Sequence, residues 1–484
     1  MQEVDIALIK KRSIRGIFAL TYRTFAIQVL GFAANFILTI FLTPAIFGVY
    51  FVVSAAIAFL SYFSDIGLAA ALIQKKDEIT DIEFRTTFTI QQILVVSLVV
   101  IALFASSFIK SFYHLDEKGI FLFQALIISF FLSSLKTIPS IILERNLKFE
   151  KLVLPQIAES LVFSIIVVVL AIKGFGITSF SIAVLARGLI GLITIYIISP
   201  WKIRLGFSKE SAKRLLHFGI PFQANSFIAL LKDDLLLAYL GKVLPLAQVG
   251  FIGFAQKWAF MPLRLIMDNV IRITFPSFSR LQDNKNLLGK AVEKSIFASA
   301  FIVFPSLVGL VIMSPYFIQI IPRYSKWEPA LASLAFFAIN ACFSSVSTPL
   351  TNALNAIGKI KISLYLMVFW TIATWVLTPV LIIVMGFNGV GVASAIISLS
   401  AVFVVYLVKK YIDFNIVPIF YPLISSLIMG FLIYILMLML KVNAYSIFIG
   451  IVLGAILYFA LIFVMAKKMV LADLQLVKEN IFKK

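Results

Sequence analysis

Residues Phe251 to Phe275 read FIGFAQKWAFMPLRLIMDNVIRITF, an apolar stretch long enough to cross a bilayer with Lys257, Arg264, Asp268 and Arg272 threaded through it. At about 100° per residue the last three fall within about 60° of Lys257 around a helix, so all four share one face. A charge at the bilayer centre costs roughly 2.5 to 3.5 kcal/mol on insertion scales. Such residues persist only where they meet water, a counter-charge or a ligand. Two readings stay open for this stripe: a salt-bridge ladder that packs the helix, or the lining of a polar pathway.

The surrounding chain has the same membrane character. Of its 484 residues 62% are hydrophobic and 13% charged, far more apolar residue than a soluble core needs. A hydrocarbon core of about 30 Å requires about 20 apolar residues per crossing. On that measure about fourteen spans are predicted, starting near Arg15, Phe47, Thr86, Gly119, Ile157, Ile177, Leu215, Val249, Ser295, Pro329, Ile362, Asn388, Pro422 and Tyr445. The chain therefore reads as an all-α, polytopic membrane protein. Lys10, Lys11, Arg12 and Arg15 precede an apolar run that extends to about Phe41 without a small-residue cleavage site, which predicts a retained first helix rather than a leader.

The net charge of +20 does not indicate a nucleic-acid partner. About two thirds of the 42 Lys and Arg residues fall on loops of the N-terminal side, which places that side and both termini in the cytoplasm. The richest of these loops, around Lys202, Arg204, Lys209, Lys213 and Arg214, lies mid-chain. The single cysteine, Cys342, excludes an intramolecular disulfide, and His114 and His217 are too far apart in sequence to suggest a metal cluster. Neither a phosphate-binding glycine loop nor a nucleophile-base pair is visible, so no cofactor and no catalysis are expected. The outer connection near Ser111 to Lys118 is too short for a catalytic domain.

The two halves echo each other at a separation of about 200 to 212 residues. Leu42-Thr43-Pro44-Ala45-Ile46-Phe47-Gly48-Val49-Tyr50 corresponds to Leu244-Pro245-Leu246-Ala247-Gln248-Val249-Gly250-Phe251. Ser133-Ser134-Leu135-Lys136-Thr137-Ile138-Pro139 corresponds to Ser344-Ser345-Val346-Ser347-Thr348-Pro349, and Gly174-Phe175-Gly176 to Gly386-Phe387-Asn388-Gly389. An even number of spans per repeat predicts two six-helix bundles, 1–205 and 206–410, related by a pseudo-two-fold axis along the membrane normal. Residues 411–484 add two peripheral helices and a cytoplasmic tail.

Polar stripes indicate what would line a cavity between such bundles. Ser129, Ser133, Lys136 and Ser140 share one face of span four, and Asn340, Ser344, Ser347, Thr351 and Asn355 the corresponding face of span ten. Ser54, Ala58, Ser61 and Asp65 do so in span two, and Ala183, Arg187, Gly191 and Thr194 in span six. The small polar residues serve helix packing equally well, but Arg187 sits too near mid-membrane to reach either surface easily. Arg23 lies off the polar stripe of its own span and faces either the cavity or the inner interface. Within the membrane the basic Arg23, Lys136, Arg187, Lys232, Lys257, Arg264 and Arg272 outnumber the acidic Asp65, Glu159, Asp233, Asp234 and Asp268. That surplus suits an anionic cargo, and mid-membrane guanidinium groups suit a phosphate or diphosphate in particular. The carboxylates are candidates for holding a coupling proton or sodium ion. Asp268, one turn from both Arg264 and Arg272, reads better as a counter-charge, and Asp65, with no basic residue one turn away, as the better coupling candidate.

Phe47-Gly48-Val49-Tyr50 through Phe63-Ser64-Asp65-Ile66-Gly67-Leu68 to Ala71-Leu72-Ile73-Gln74, together with Leu143-Glu144-Arg145-Asn146-Leu147-Lys148-Phe149, resembles the Wzx-type polysaccharide exporters. Within the multidrug/oligosaccharidyl-lipid/polysaccharide (MOP) superfamily, the branch it resembles includes colanic acid, amylovoran and teichuronic acid exporters. The resemblance implies a flippase that moves an undecaprenyl-diphosphate-linked oligosaccharide from the cytoplasmic to the outer leaflet of a bacterial inner membrane. It further implies a polysaccharide polymerase and a chain-length regulator as partners, besides membrane lipids. On that reading Arg187, Arg264, Lys257 and Arg272 would bind diphosphate, with Arg23 and Lys136 guiding it in. Asn340, Ser344, Ser347, Trp370 and Trp375 would contact sugar, although such tryptophans commonly serve packing. A drug or cation antiporter of the same superfamily is the main alternative, which the basic surplus disfavours. A membrane polysaccharide polymerase is the other, and it would carry a large outer loop.

Overall fold

A computed structural model of the chain describes residues 3–75 and 77–467, with some side chains before residue 22, between 221 and 233, and between 268 and 273 outside that description. The described residues are helical, with no strand. In lipid an unpaired backbone amide costs several kcal/mol, and a helix satisfies its amides within one segment. Twelve helices of the described residues are long and apolar enough to cross a membrane. They coincide with twelve of the spans expected from the sequence. The expected seventh and eighth fall on two further helices of 35 and 36 residues, 209–243 and 246–281, which carry the charges singled out above.

The chain divides into two compact units, Met1–Gly250 and Phe251–Lys484. The first holds α1 (Glu3–Phe41), α2 (Pro44–Tyr62), α3 (Leu68–Gln74), α4 (Asp81–Phe104), α5 (Ser106–Tyr113), α6 (Glu117–Ser134), α7 (Thr137–Arg145), α8 (Phe149–Ile172), α9 (Thr178–Ile198) and α10 (Lys209–Val243). Local chemistry sets several starts: Pro44 opens α2, the Asp116 carboxylate accepts from the Gly119 amide at 2.7 Å, and Ser208 accepts from the Ser211 amide. α8 packs against α1 and α9, α6 against α9 and α2.

α10 follows residue 205 in sequence yet packs on α2 and α3 of the first unit. Gln223 Nε2 donates to the Tyr62 carbonyl at 2.8 Å, and the Tyr62 hydroxyl donates back to the Gln223 carbonyl. Gly67, in the left-handed conformation at φ 74°, lies against Gly219 of α10, backbone to backbone. Both Asp65 carboxylate oxygens accept from the Ala69 amide at 3.2 Å, which caps the α3 start. The segment Asp65-Ile66-Gly67 that carries part of the family resemblance is thus a helix break with a structural purpose.

The second motif of that resemblance has a comparable explanation. Arg145, in the last turn of α7, donates to the Leu72 carbonyl at 2.9 Å, the Lys75 carbonyl at 2.6 Å and the Asp77 carbonyl, gripping the carbonyl end of α3. Close by, Glu83 of α4 is 1% exposed and accepts from Lys75 at 2.9 Å, Arg214 at 2.8 Å and the Thr80 amide at 2.9 Å. One carboxylate therefore ties the α3–α4 loop, α4 and α10 together. Removing it leaves two cations and an amide without their acceptor, so Glu83→Ala is expected to cost about 3 kcal/mol of stability. Thermal unfolding of the purified protein in detergent checks this; an unchanged midpoint would show the cluster to be dispensable.

α11 (Leu246–Leu281) leads into the second unit, which continues with α12 (Lys285–Ile320), α13 (Ala330–Ala356), α14 (Ile360–Met385), α15 (Asn388–Ser398), α16 (Ala401–Lys409), α17 (Phe420–Met439) and α18 (Ala444–Met465). Its core gathers Val292, Ile296 and Phe304 of α12, Leu350 and Leu354 of α13, Leu366 of α14 and Val404 and Val408 of α16. In lipid such contacts contribute through close packing more than through water release. α17 and α18 pack on α12, where Tyr458 donates to the Phe301 carbonyl at 2.7 Å.

The internal repeat is visible in the packing of each unit. In the first, α4 packs on α6, α6 on α9 and α8 on α9; in the second, α12 packs on α13, α13 on α15 and α14 on α15. The halves differ where helices break: α9 runs unbroken while its counterpart is split into α15 and α16, and the reverse holds at the serine motif. Ser133–Pro139 spans the break between α6 and α7, whereas α13 runs unbroken through Ser344–Pro349.

Candidate functional site

Four charged residues singled out in the sequence meet in the first unit. α8 presents Gln156, Glu159, Ser160 and Phe163 at helical spacing on one face. Lys136, at the α6–α7 break, donates to Glu159 Oε1 at 2.6 Å. Arg187, on α9, places its Nε 3.6 Å from Glu159 Oε2 and its guanidinium 5.9 Å from the centre of the Phe163 ring. Arg23, on α1, donates to Gln156 Oε1 at 2.6 Å, one helical turn before Glu159.

Lys136, Gln156, Glu159, Phe163 and Arg187 border a cavity of about 490 Å³, with Ser133, Ser140, Ser160 and Pro155 also in its wall, while Arg23 reaches it through Gln156. That volume lies within the range of small-ligand sites. Among the described residues lining the cavity, two cations, Lys136 and Arg187, share the one carboxylate Glu159, with the Arg23 guanidinium one helical turn away on Gln156. Glu159 is held in the fold at 12% exposure, whereas the Arg187 side chain is 52% exposed and makes no hydrogen bond to another described residue. Its two terminal nitrogens can take two oxygens of one anion at once.

Gly191 of α9 makes room for this arrangement: a Cβ there would lie 2.0 Å from Glu159 Oε1. Gln156 and Phe163 are not singled out in the sequence, whereas Gly191 belongs to the cavity-lining stripe expected for span six. The signal for the first two is their spacing of three and four residues from Glu159, which becomes informative only once Glu159 is known to face the cavity.

The other candidates lie elsewhere. Lys257 and Arg264 are exposed on α11 in the second unit. The side chains of Asp233, Asp268 and Arg272 fall outside the described residues. Lys232 and Asp234 are half-buried on α10. Asp65 is engaged in capping α3. On α13, Asn340 donates to the Ser394 carbonyl at 2.8 Å and accepts from Ser344 at 3.2 Å, and the Ser347 carbonyl accepts from Thr351. Trp370 donates its indole N–H to Ser400 at 2.8 Å and packs against the core, while Trp375 is half-buried on α14.

Carrying the Ser133–Ser344 correspondence along the helices sets Lys136 against Ser347, Glu159 against Trp370 and Arg187 against Ser398. The charged cluster of the first unit has an uncharged counterpart in the second. The second unit instead holds an apolar cavity of about 440 Å³ between α12, α17 and α18, bordered by Phe301, Pro305, Gly309, Gly430, Gly454 and Tyr458.

A family model described as polysaccharide biosynthesis protein matches residues 37–332, which hold the whole charged cluster except Arg23. The chain belongs to that family. The matched segment contains both stretches on which the Wzx-type resemblance rests, and that resemblance holds. Among individual relatives, the chain is 26% identical over 345 residues to an uncharacterized membrane protein in the cps region of Klebsiella pneumoniae, covering 70% of each chain. It is 25% identical to the lipopolysaccharide biosynthesis protein WzxC of Escherichia coli strain K12, over 67% of this chain and 66% of that one. The match thus spans about two thirds of the length of these relatives. Lipid II flippase MurJ in its inward closed conformation shares the fold, with a TM-score of 0.77 over 93% of this chain and 99% of that one at 16% identity. This member of the polysaccharide biosynthesis family is accordingly a multi-pass membrane protein with the MurJ architecture.

Proposed function

We propose that the protein is a flippase for undecaprenyl-diphosphate-linked oligosaccharide units, moving them from the cytoplasmic to the outer leaflet for surface polysaccharide synthesis. The cluster of Arg23, Lys136 and Arg187 around the single carboxylate Glu159 carries this reading. A diphosphate needs at least two positive charges in a low-dielectric setting, and the cluster has that surplus beside a cavity of about 490 Å³. A cationic drug would meet net repulsion there, which weighs against the antiporter alternative. Family membership supports transport over catalysis.

The diphosphate would engage Arg187 and Lys136 with Arg23 beside them. Lys257, Arg264 and Arg272, which share a helix face by their spacing in the sequence, are further candidates for contact with a diphosphate. Asn340, Ser344, Ser347, Trp370 and Trp375 are the sugar-contact candidates, Trp370 through its ring rather than its committed N–H. The apolar cavity of the second unit has the character to shelter part of an isoprenoid tail. Asp65, Asp233, Asp234 and Asp268 are candidate sites for a coupling proton or sodium ion, with the site then exposed alternately to each leaflet. The reading includes two six-helix bundles, 1–205 and 206–410, followed by two helices, and both termini in the cytoplasm of a bacterial inner-membrane protein. It also includes a polymerase and a chain-length regulator as partners.

Deleting the gene is expected to trap lipid-linked repeat units in the cytoplasmic leaflet and abolish the surface polymer. Repeat units reaching the outer leaflet but staying unpolymerised would indicate a polymerase. Normal polymer with altered drug sensitivity would indicate an antiporter.

A further inference from the structure

We propose that Glu159 is a tethered stand-in for the substrate's phosphate, occupying the cationic site between transport events and re-pairing with it to expel the product. The inference rests on the diphosphate reading above. It starts from the asymmetry of the cluster. Lys136 is held at 2.6 Å by Glu159 Oε1, while Arg187 meets Oε2 only through Nε at 3.6 Å. The carboxylate therefore satisfies one cation fully and the other loosely, leaving the terminal guanidinium nitrogens open for an arriving anion.

The carboxylate also has a built seat. It lies against α9 at Gly191, where any larger residue would project a Cβ 2.0 Å from Oε1 and 2.6 Å from the carboxyl carbon. Cations on three separate elements (α1, the α6–α7 break and α9) converge on this face of α8, where Glu159 is the acidic residue among the described residues lining the cavity.

A flippase must bind a diphosphate and then release it, and an unopposed cluster of three cations would retain it. A carboxylate on the same scaffold competes at every moment without diffusing away. The apparent affinity falls by the fraction of time the cations are occupied, so a stand-in present nine tenths of the time weakens binding about tenfold. The counterpart of Glu159 in the second unit is the uncharged Trp370, whose indole N–H pairs with Ser400 and whose ring packs on the apolar core.

The test uses the full chain in lipid nanodiscs, titrated with undecaprenyl diphosphate and, separately, with inorganic pyrophosphate. Glu159→Gln is expected to bind undecaprenyl diphosphate about tenfold tighter than the parent protein while exporting less polymer in cells, because release slows. Gly191→Ala, whose methyl group forces the carboxylate off its seat, is expected to shift both readouts in the same direction, and it carries the test alone should Glu159→Gln fail to fold. Unchanged or weaker binding in these variants overturns the proposal and leaves Glu159 as a positioning residue for Lys136 and Arg187. If the parent protein binds neither ligand and Arg187→Ala alters nothing, the diphosphate reading itself falls, and the stand-in with it. Pyrophosphate tightening in parallel would assign the effect to the headgroup; tightening confined to the lipid would place it at the tail and overturn the stand-in.

Discussion

Arg187→Ala is expected to cut export of the surface polymer about hundredfold while leaving the amount of protein in the membrane unchanged. The Arg187 side chain on α9 is 52% exposed, and among the described residues its guanidinium is held by the 3.6 Å ion pair with Glu159 and by the face of the Phe163 ring. Its loss removes little that holds the fold. What it removes is a two-point grip on phosphate oxygens, and two charge-assisted hydrogen bonds of about 1.5 kcal/mol each correspond to that hundredfold. Arg187→Lys, which keeps the charge but loses the fork, should fall between the two. Quantifying surface polymer and lipid-linked intermediates against immunoblotted membrane protein measures the effect. Wild-type export by the alanine variant would remove Arg187 from the binding site.

Gly67→Ala should lower stability strongly, because a methyl group there meets both backbone strain and a backbone clash. Residue 67 has φ 74°, where an L side chain costs roughly 1 to 2 kcal/mol. Its Cβ would also lie 2.3 Å from the Gly219 carbonyl oxygen, a backbone atom of α10 that cannot rotate aside. Overpacking adds about 1 to 3 kcal/mol, so a total near 3 kcal/mol or more is expected. Gly219→Ala meets the Ile66 carbonyl at 2.5 Å but lies within the α10 helix, so it should suffer the clash without the strain. Unfolding midpoints of the two purified variants separate the contributions, and equal midpoints would show that the conformation of residue 67 contributes nothing.

The close approach at Gly67 also shows how much of the fold was legible beforehand. The run around Asp65 and Gly67 resembles the exporter family, but its purpose emerged only with α10 laid against it. Asp65 was read as a coupling candidate because no basic residue lies one turn away; in the structure its carboxylate caps α3, and coupling remains a proposal for it. The repeat behaves similarly. Gly48 and Gly250, matched in the sequence, approach each other in the first unit: a Cβ on Gly48 would lie 1.7 Å from the Leu246 carbonyl oxygen, and one on Gly250 1.9 Å from that of Pro44. Sequence correspondence located both glycines, but not their mutual contact.

Of the site, the sequence supplied the chemistry and left the pairing open. Arg23, Lys136, Glu159 and Arg187 stood out one by one because an ionised side chain in an apolar run is expensive and therefore conspicuous. That Glu159 sits between Lys136 and Arg187 while Arg23 holds Gln156 could not be read, because each pairing depends on how far α1, α8 and α9 are rotated about their axes. Trp370 illustrates the converse: its aromatic face suggested sugar, but its N–H is committed to Ser400, a partner 30 residues away.

Membrane insertion is a local free energy summed along about 20 residues, so the order of the strand-free, helical spans, their orientation bias and the exceptional charges inside them were all determined by the amino-acid sequence alone. Which cations share a carboxylate, which glycines touch, and which unit α10 packs into were decided only by the tertiary structure. Those outcomes turn on helix rotation and on backbone approaches of a few ångströms between segments distant in the chain, which no local sum contains.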